Sequence, residues 1–301
     1  MPQLVHGESE AEPQVLQGLR FALGLSLVIL VVEALGAYLS RSLSLTVDAV
    51  HNVPDLIAFA ASWGALVGIR SGSSRSYTFG SHRFEVFAGL FNAALVLAVG
   101  VGFAYEALEA LRTRILFAGP VGAIWVLATA IPVLVLRSVN LVALRRVPGR
   151  ARDLNLNSVL VHLASDLVIT GALLFAGTTL LFRPSAWWAD PASAAVIGGV
   201  LIWESVPLFR AGWEVLTERT PSNLSLEEIT SAARAVPAVQ EVHDVHVWSV
   251  CPTLVCMSAH VTVSEMSVRD SMAVVADLRR TMEQRFGILH SVFEVEVGSR
   301  A

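Results

Sequence analysis

The sequence predicts a helical membrane domain of six spans followed by a small α/β domain outside the lipid. Three observations carry this. The 301 residues are 54% hydrophobic and only 15% charged, with a mean hydropathy of +0.63, whereas a soluble domain averages about 25% charged. Six apolar runs approach or exceed the roughly 20 residues that a helix needs to cross a bilayer. From Thr220 and Pro221 onward those runs give way to a helix-strand-strand-helix-strand pattern.

Taken in order, residues 1–16 are polar and read as a cytoplasmic tail, with His6 a solvated residue. Glu8, Glu10 and Glu12 stand where a signal peptide would carry basic charge, so no cleaved leader is expected. The membrane domain is assigned to 17–219. Its first run, 19–39, is interrupted by Glu33, which must face other helices rather than lipid. The second, 43–69, carries Asp48, His51 and Asp55 on one stripe, because offsets of three, four and seven residues return to the same helix face. Pro54 lacks an N–H and loosens the hydrogen-bond ladder beside them. A polar loop containing Tyr77 to Glu85 leads into a third span ending near 111, with Asn92 and Glu106 inside it. The fourth, 121–144, contains Asn140; the fifth, 153–182, holds His162 and Asp166. A turn with Pro184, Asp190 and Pro191 introduces the sixth, 192–216, which carries Glu204. For Glu33, Asn92, Glu106, Asn140 and Glu204 the expected role is interhelical hydrogen bonding or interfacial placement. Arg83 and Glu85 could form a charge lock, or an ordinary surface pair worth little.

All 21 basic residues are arginine, and the formal charge of −4 gives no nucleic-acid signal. Arg70, Arg75, Arg83, Arg145, Arg146, Arg150 and Arg152 fall in the loops after spans two and four; Arg41, Arg112, Arg114 and Arg183 lie opposite. The richer side is cytoplasmic, which puts both termini inside.

The remaining domain is assigned to 220–301. Ser225 with Glu228 forms a capping box opening a helix to about 235. Segments 239–248 and 254–263 alternate like paired strands, 268–286 reads as an amphipathic helix, and 292–297 alternates again. That order suggests an open-faced sandwich. Cys251 and Cys256 are five apart, which is neither a zinc-knuckle spacing nor a disulfide framework; reduced core cysteines are expected.

The chemistry concentrates in two matched pairs. His51 precedes Asp55 by four residues, and His162 precedes Asp166 by four, so each pair leaves one helix face about a turn apart. Each lies in an apolar span, where an ionisable group costs on the order of 3 kcal/mol on insertion scales. Two imidazole nitrogens and two carboxylates make the tetrahedral N/O set that suits zinc. One metal site between spans two and five is the reading, with Asp48 accessory, orienting His51 or lining a water path.

With these motifs in view, the chain resembles the cation diffusion facilitator family of metal transporters along nearly its whole length. The likeness rests on Ser44 to His51 continuing to Asp55, on Tyr77 to Glu85, on His162 to Asp166, and on Val242 to Trp248 with Ser258, Ala259 and His260. The His-x-x-x-Asp pattern on both helices is similar to the zinc-transporting branch. The resemblance implies a membrane α-helical fold, with six transmembrane helices and a cytoplasmic ferredoxin- or metallochaperone-like α-β-β-α-β domain. It further implies a homodimer in membrane lipid that exports zinc in exchange for protons, with no enzymatic step, in a bacterial inner (cytoplasmic) membrane. Cadmium and cobalt are alternative cargoes for the same ligands. The family's transport ligands map onto His51, Asp55, His162 and Asp166. Its cytoplasmic ligands, for a regulatory zinc, map onto His243, His260 and Glu296, with His246, His290 and Glu294 nearby. The histidine-rich loop that many relatives carry after span four is absent, and of the loop site after span two only His82 is retained.

Residues 243 and 246 point to opposite faces of a regular strand, so they bind one ion only if a bend intervenes. His243 with His260 on the neighbouring strand and Glu296 on the last is the better set; the alternative makes 246–248 a packing face. Charge accounts for exchange. Two aspartates, two neutral histidines and Zn²⁺ sum to zero, as do two aspartates with two protonated histidines. The empty, deprotonated site holds two unbalanced charges in a low-dielectric slot. Zinc one way and roughly two protons the other is the electrically favoured cycle. Two rival readings have less support. An intramembrane metalloprotease needs a general-base glutamate that neither pair contains. A membrane-anchored metal sensor needs no buried ionisable groups on two helices.

Overall fold

Among the described residues six long helices come first, then a helix-strand-strand-helix-strand unit. They are α1 (Glu12–Ser40), α2 (Leu43–Gly68), α3 (His82–Thr113), α4 (Pro120–Arg145), α5 (Leu154–Phe182), α6 (Ala189–Leu216), α7 (Leu226–Arg234), β1 (Val239–Cys251), β2 (Leu254–Val263), α8 (Val268–Phe286) and β3 (His290–Val297). The computed structural model describes residues 12–68, 79, 82–145, 154–251 and 254–298; side chains at 12–23, 55, 58–68, 82, 85, 143–145 and 154–161 lie outside that description. Helix α1 starts at Glu12. Acidic Glu12 and Pro13 suit a helix N-terminus, where a missing N–H loses no bond.

Among the described residues, Val86–Thr113, Pro120–Val142, His162–Phe182 and Ala189–Leu216 are long and apolar enough to cross a membrane, and Gly24–Ser40 is a shorter apolar stretch. Two compact units result, one from residues up to 71 with 91–209, the other from 72–90 with 210–301.

In the first unit, α4 packs on α5 and α1, α1 on α2, and α2 on α5. Small residues set the close approaches. A methyl at Gly36 would overlap the Thr129 side chain, and Gly100 meets Gly198 almost backbone to backbone. The turn between α1 and α2 is held from a distant part of the chain. Asp190, at the start of α6 and 1% exposed, accepts from the Ser42 hydroxyl at 2.5 Å, the Leu43 N–H at 2.6 Å and the Ser44 N–H at 3.2 Å, and also from the Ser44 hydroxyl. It thus caps the first turn of α2 in trans, where free N–H groups and the helix dipole favour a carboxylate.

In the second unit a three-stranded sheet runs β1-β2-β3, with β1 and β2 antiparallel and β2 and β3 parallel. One face packs on α7 and α8 through Ile229, Val247, Met257, Val261, Leu278, Met282 and Phe293. Ser225 and Ser267 cap α7 and α8, and Gly287, at φ +68°, ends α8 in the left-handed conformation that glycine adopts without strain. Cys251 and Cys256 are both buried; burial, with Cys251 adding to it, pushes the Cys256 thiol up. Arg83 pairs with Glu218 at 3.2 Å in an exposed contact worth little.

Replacing Asp190 by Ala strips the first turn of α2 of its acceptor and should lower stability by about 1–3 kcal/mol. Thermal unfolding in detergent followed by circular dichroism checks this; Asp190→Asn, which keeps an acceptor, should lose less.

Candidate metal-binding sites

Packing of α2 against α5 brings the sequence-predicted residues together. The donor atoms of His51, His162 and Asp166 lie within 4.8 Å of one another. His51 Nε2 stands 3.8 Å from Asp166 Oδ1, and the two imidazoles meet edge to face with centroids 6.0 Å apart. His162 and Asp166 share a face of α5 because four residues make about one turn. Asp55 occupies the position one turn beyond His51 on α2, but its side chain falls outside the described residues. So does that of His82, the first residue of α3.

Asp48 faces an arginine of the fourth helix. It is fully buried and bonds Arg137 through both oxygens, Oδ1 to Nη2 at 2.9 Å and Oδ2 to Nη1 at 3.3 Å. The same guanidinium reaches Glu33 at 3.2 Å, the Asp166 backbone carbonyl at 3.1 Å and the Thr170 hydroxyl at 2.7 Å. Thr170 in turn donates to that carbonyl at 2.8 Å. Asn52, next to His51, donates to the Glu33 carboxylate and to the Asp48 carbonyl. One planar cation with five donors therefore ties α1, α2, α4 and α5 together beside the cluster. Asp48 cannot turn to a cation at His51 without abandoning Arg137. Reading the fourth span for its polar positions overlooked Arg137, although a lone arginine inside an apolar span is itself the signal. Glu204 of α6 also reaches the cluster, its Oε2 3.8 Å from His162 Nδ1.

The second cluster lies on the open face of the sheet. His243 pairs directly across from His260, and β3 brings Glu294 and Glu296 alongside. His260 Nδ1 is 2.8 Å from Glu296 Oε1 and His243 Nε2 is 3.4 Å from Glu296 Oε2, so these three side chains gather as the strand register required. A bend does intervene between His243 and His246. The register slips there, and Asp244 takes a φ of +49°. The extra residue of this bulge undoes the alternation that would separate the two histidines. Asp244 then stands 3.0 Å from His246 Nε2 and 3.6 Å from His260 Nε2. Glu294 lies 3.7 Å from His260 Nε2, whereas His290 stacks edge-on with Phe79 at 5.8 Å and joins no cluster among the described residues. The hydrogen bond that His260 donates to Glu296, with Glu294 and Asp244 adding negative charge, holds the His260 imidazole above its ordinary range.

Comparison with known proteins adds to this geometry. The family profile described as "Cation efflux transmembrane domain" matches residues 19–217, and that described as "Cation efflux protein, cytoplasmic domain" matches 221–296. The metal cation efflux system protein CzcD of Cupriavidus metallidurans is 28% identical, covering 93% of this chain and 86% of its own. The cadmium, cobalt and zinc/H(+)-K(+) antiporter of Bacillus subtilis is 26% identical, with 89% and 84% covered. The zinc transporter ttm-1 of Caenorhabditis elegans is 27% identical, with 90% and 69% covered. A solved metal-bound C-terminal domain of CzcD from C. metallidurans is 26% identical over 24% of this chain and 99% of that one, with a TM-score of 0.23.

Two outcomes are expected. Arg137→Met leaves two buried carboxylates without their cation and should cost about 3–5 kcal/mol, while adding Glu33→Gln and Asp48→Asn to it should recover most of that loss; thermal unfolding of the three proteins compares them. In metal-free protein, histidine NMR should find His260 titrating above the free imidazole, and Glu296→Gln should bring it down. The sign follows: the pair supports the folded state fully below the unfolded pKa of about 6.5 and loses that support as pH rises through the raised folded value.

Proposed function

The chain belongs to the cation efflux family, and on that premise we propose that it exports a divalent cation, zinc first, in exchange for protons. The observation that carries this reading is the buried His51, His162 and Asp166 cluster where α2 packs on α5. Zinc is cargo here, and it leaves chemically unchanged. Two neutral imidazoles and the carboxylates of Asp166 and Asp55 match its charge and its preference for nitrogen and oxygen donors in a tetrahedron. When the cation departs, protons on His51 and His162 restore neutrality in a site where His51 is only 1% exposed. The Arg137 network holds Glu33 and Asp48 apart from this cycle, so the charge that alternates is that of the His and Asp set.

In this reading 1–16 and 220–301 are cytoplasmic and 17–219 span the membrane, with the arginine-rich loops inside. The location proposed is a bacterial inner membrane. The match to the family's cytoplasmic domain supports a homodimer. Zinc at His243, His260 and Glu296 would neutralise the carboxylates on the open sheet face, coupling cytoplasmic zinc to the arrangement of the soluble domains. Cadmium or cobalt is a second reading for the cargo, favoured by the same donor set and by the name of the Bacillus relative.

Reconstituted vesicles test this. Zinc uptake should follow an opposing proton gradient, slow when the gradient is collapsed, and vanish in His51→Ala with His162→Ala. Uptake indifferent to the proton gradient would sink the exchange mechanism.

A further inference from the structure

Among the described residues, the other buried carboxylates of the first unit have evident partners. Glu33 and Asp48 share Arg137, Asp190 caps α2, and Asp166 belongs to the donor set. Glu204 does not fit that pattern. Its side chain is 10% exposed, its Oε1 is buried with no hydrogen-bond partner, and among the described residues no arginine pairs with it. Its other oxygen faces His162 Nδ1 at 3.8 Å, slightly beyond the roughly 3.3 Å that separates two donors on one tetrahedral zinc. A carboxylate buried without a cation carries a desolvation cost, which a visiting cation would offset.

Exposure orders the donors. The His162 side chain is 29% exposed, Asp166 10% and His51 1%, so the cluster opens at His162 and closes at His51. The geometry points to Glu204 as a further cation ligand, which with His162 forms a loading pair at the open side of the transport site; this rests on the transport reading above. A divalent cation arriving from the open side exchanges hydration water for the Glu204 carboxylate and one His162 nitrogen. It then passes to His51 and Asp166 while still held by His162, whose imidazole is common to both sets. Glu204 is thereby a specificity and capture residue contributed by α6, outside the two His-x-x-x-Asp pairs. A carboxylate favours cations that accept oxygen donors, so its removal should weaken zinc capture more than capture of the softer cadmium.

Zinc and cadmium uptake measured in vesicles holding the full chain, over a range of metal concentrations, tests the inference. Glu204→Gln keeps the shape and removes the charge. It should raise KM for zinc about tenfold with the maximal rate within about twofold, and raise KM for cadmium less. Glu204→Asp should fall between the two. An unchanged zinc KM in Glu204→Gln, or a fall in maximal rate alone, overturns the proposal. Should Glu204→Gln lose all transport, recovery in Glu204→Asp with a raised KM supports it, and no recovery overturns it. A wild-type chain that moves no metal overturns the transport reading itself, and Glu204 with it. Wild-type transport with an indifferent Glu204→Gln removes only the loading pair.

Discussion

The guanidinium of Arg137 is the constraint on which the helical unit depends. It is 2% exposed and spends its donors on the Glu33 and Asp48 carboxylates, the Thr170 hydroxyl and the Asp166 carbonyl. Those groups sit on α1, α2 and α5, while Arg137 itself sits on α4. In a low-dielectric interior such an ion cluster tolerates few alternative arrangements, because sliding any one helix leaves a charge unpaired. Apolar packing against lipid supplies little preference of this kind, since lipid tails are as apolar as leucine. The network therefore sets the rotation and depth of α2 relative to α5, and with them the meeting of His51 with His162 and Asp166.

Asp190 supplies a second restraint at the N-terminus of α2. Its carboxylate holds three consecutive residues of that helix's first turn. One helix is thus held at its start by a carboxylate from α6 and, about one turn farther on at Asp48, by Arg137 of α4. Along and just past these anchors the helix is buried at Leu45, Val47, Asp48, Ala49 and His51. Farther along, Pro54 removes the N–H that would have bonded the Val50 carbonyl. A firm first half and an interrupted ladder after it suit a helix that must present one histidine accurately and still let a cation come and go.

The second unit assembles its cluster by other means. Strand pairing sets His243 opposite His260, and a parallel third strand delivers Glu294 and Glu296 to the same open face. The bulge at Asp244 then adds a carboxylate between His246 and His260. Helical clusters need periods of three and four; this one needs period two and a single deliberate break in it.

Much of this was readable in the chain itself. Helix periodicity alone places His162 and Asp166 on one face, hydropathy sets the long apolar runs, and alternation with Ser225 and Gly287 delimits the α/β unit, since each of these depends only on neighbours within one element. The motifs also suffice to name the family. Which residues meet across elements was another matter. Arg137 and Glu204 stand 89 and 42 residues from Asp48 and His162, the groups they face, and no period within one helix relates them. The contribution of Asp190 to α2, the pairing of Asp48 with Arg137 and the bulge that turns His246 round depend on azimuth, depth and register. Those are set when helices pack and strands pair, because burying a charge or a backbone donor forces it to find a partner wherever the fold has put one.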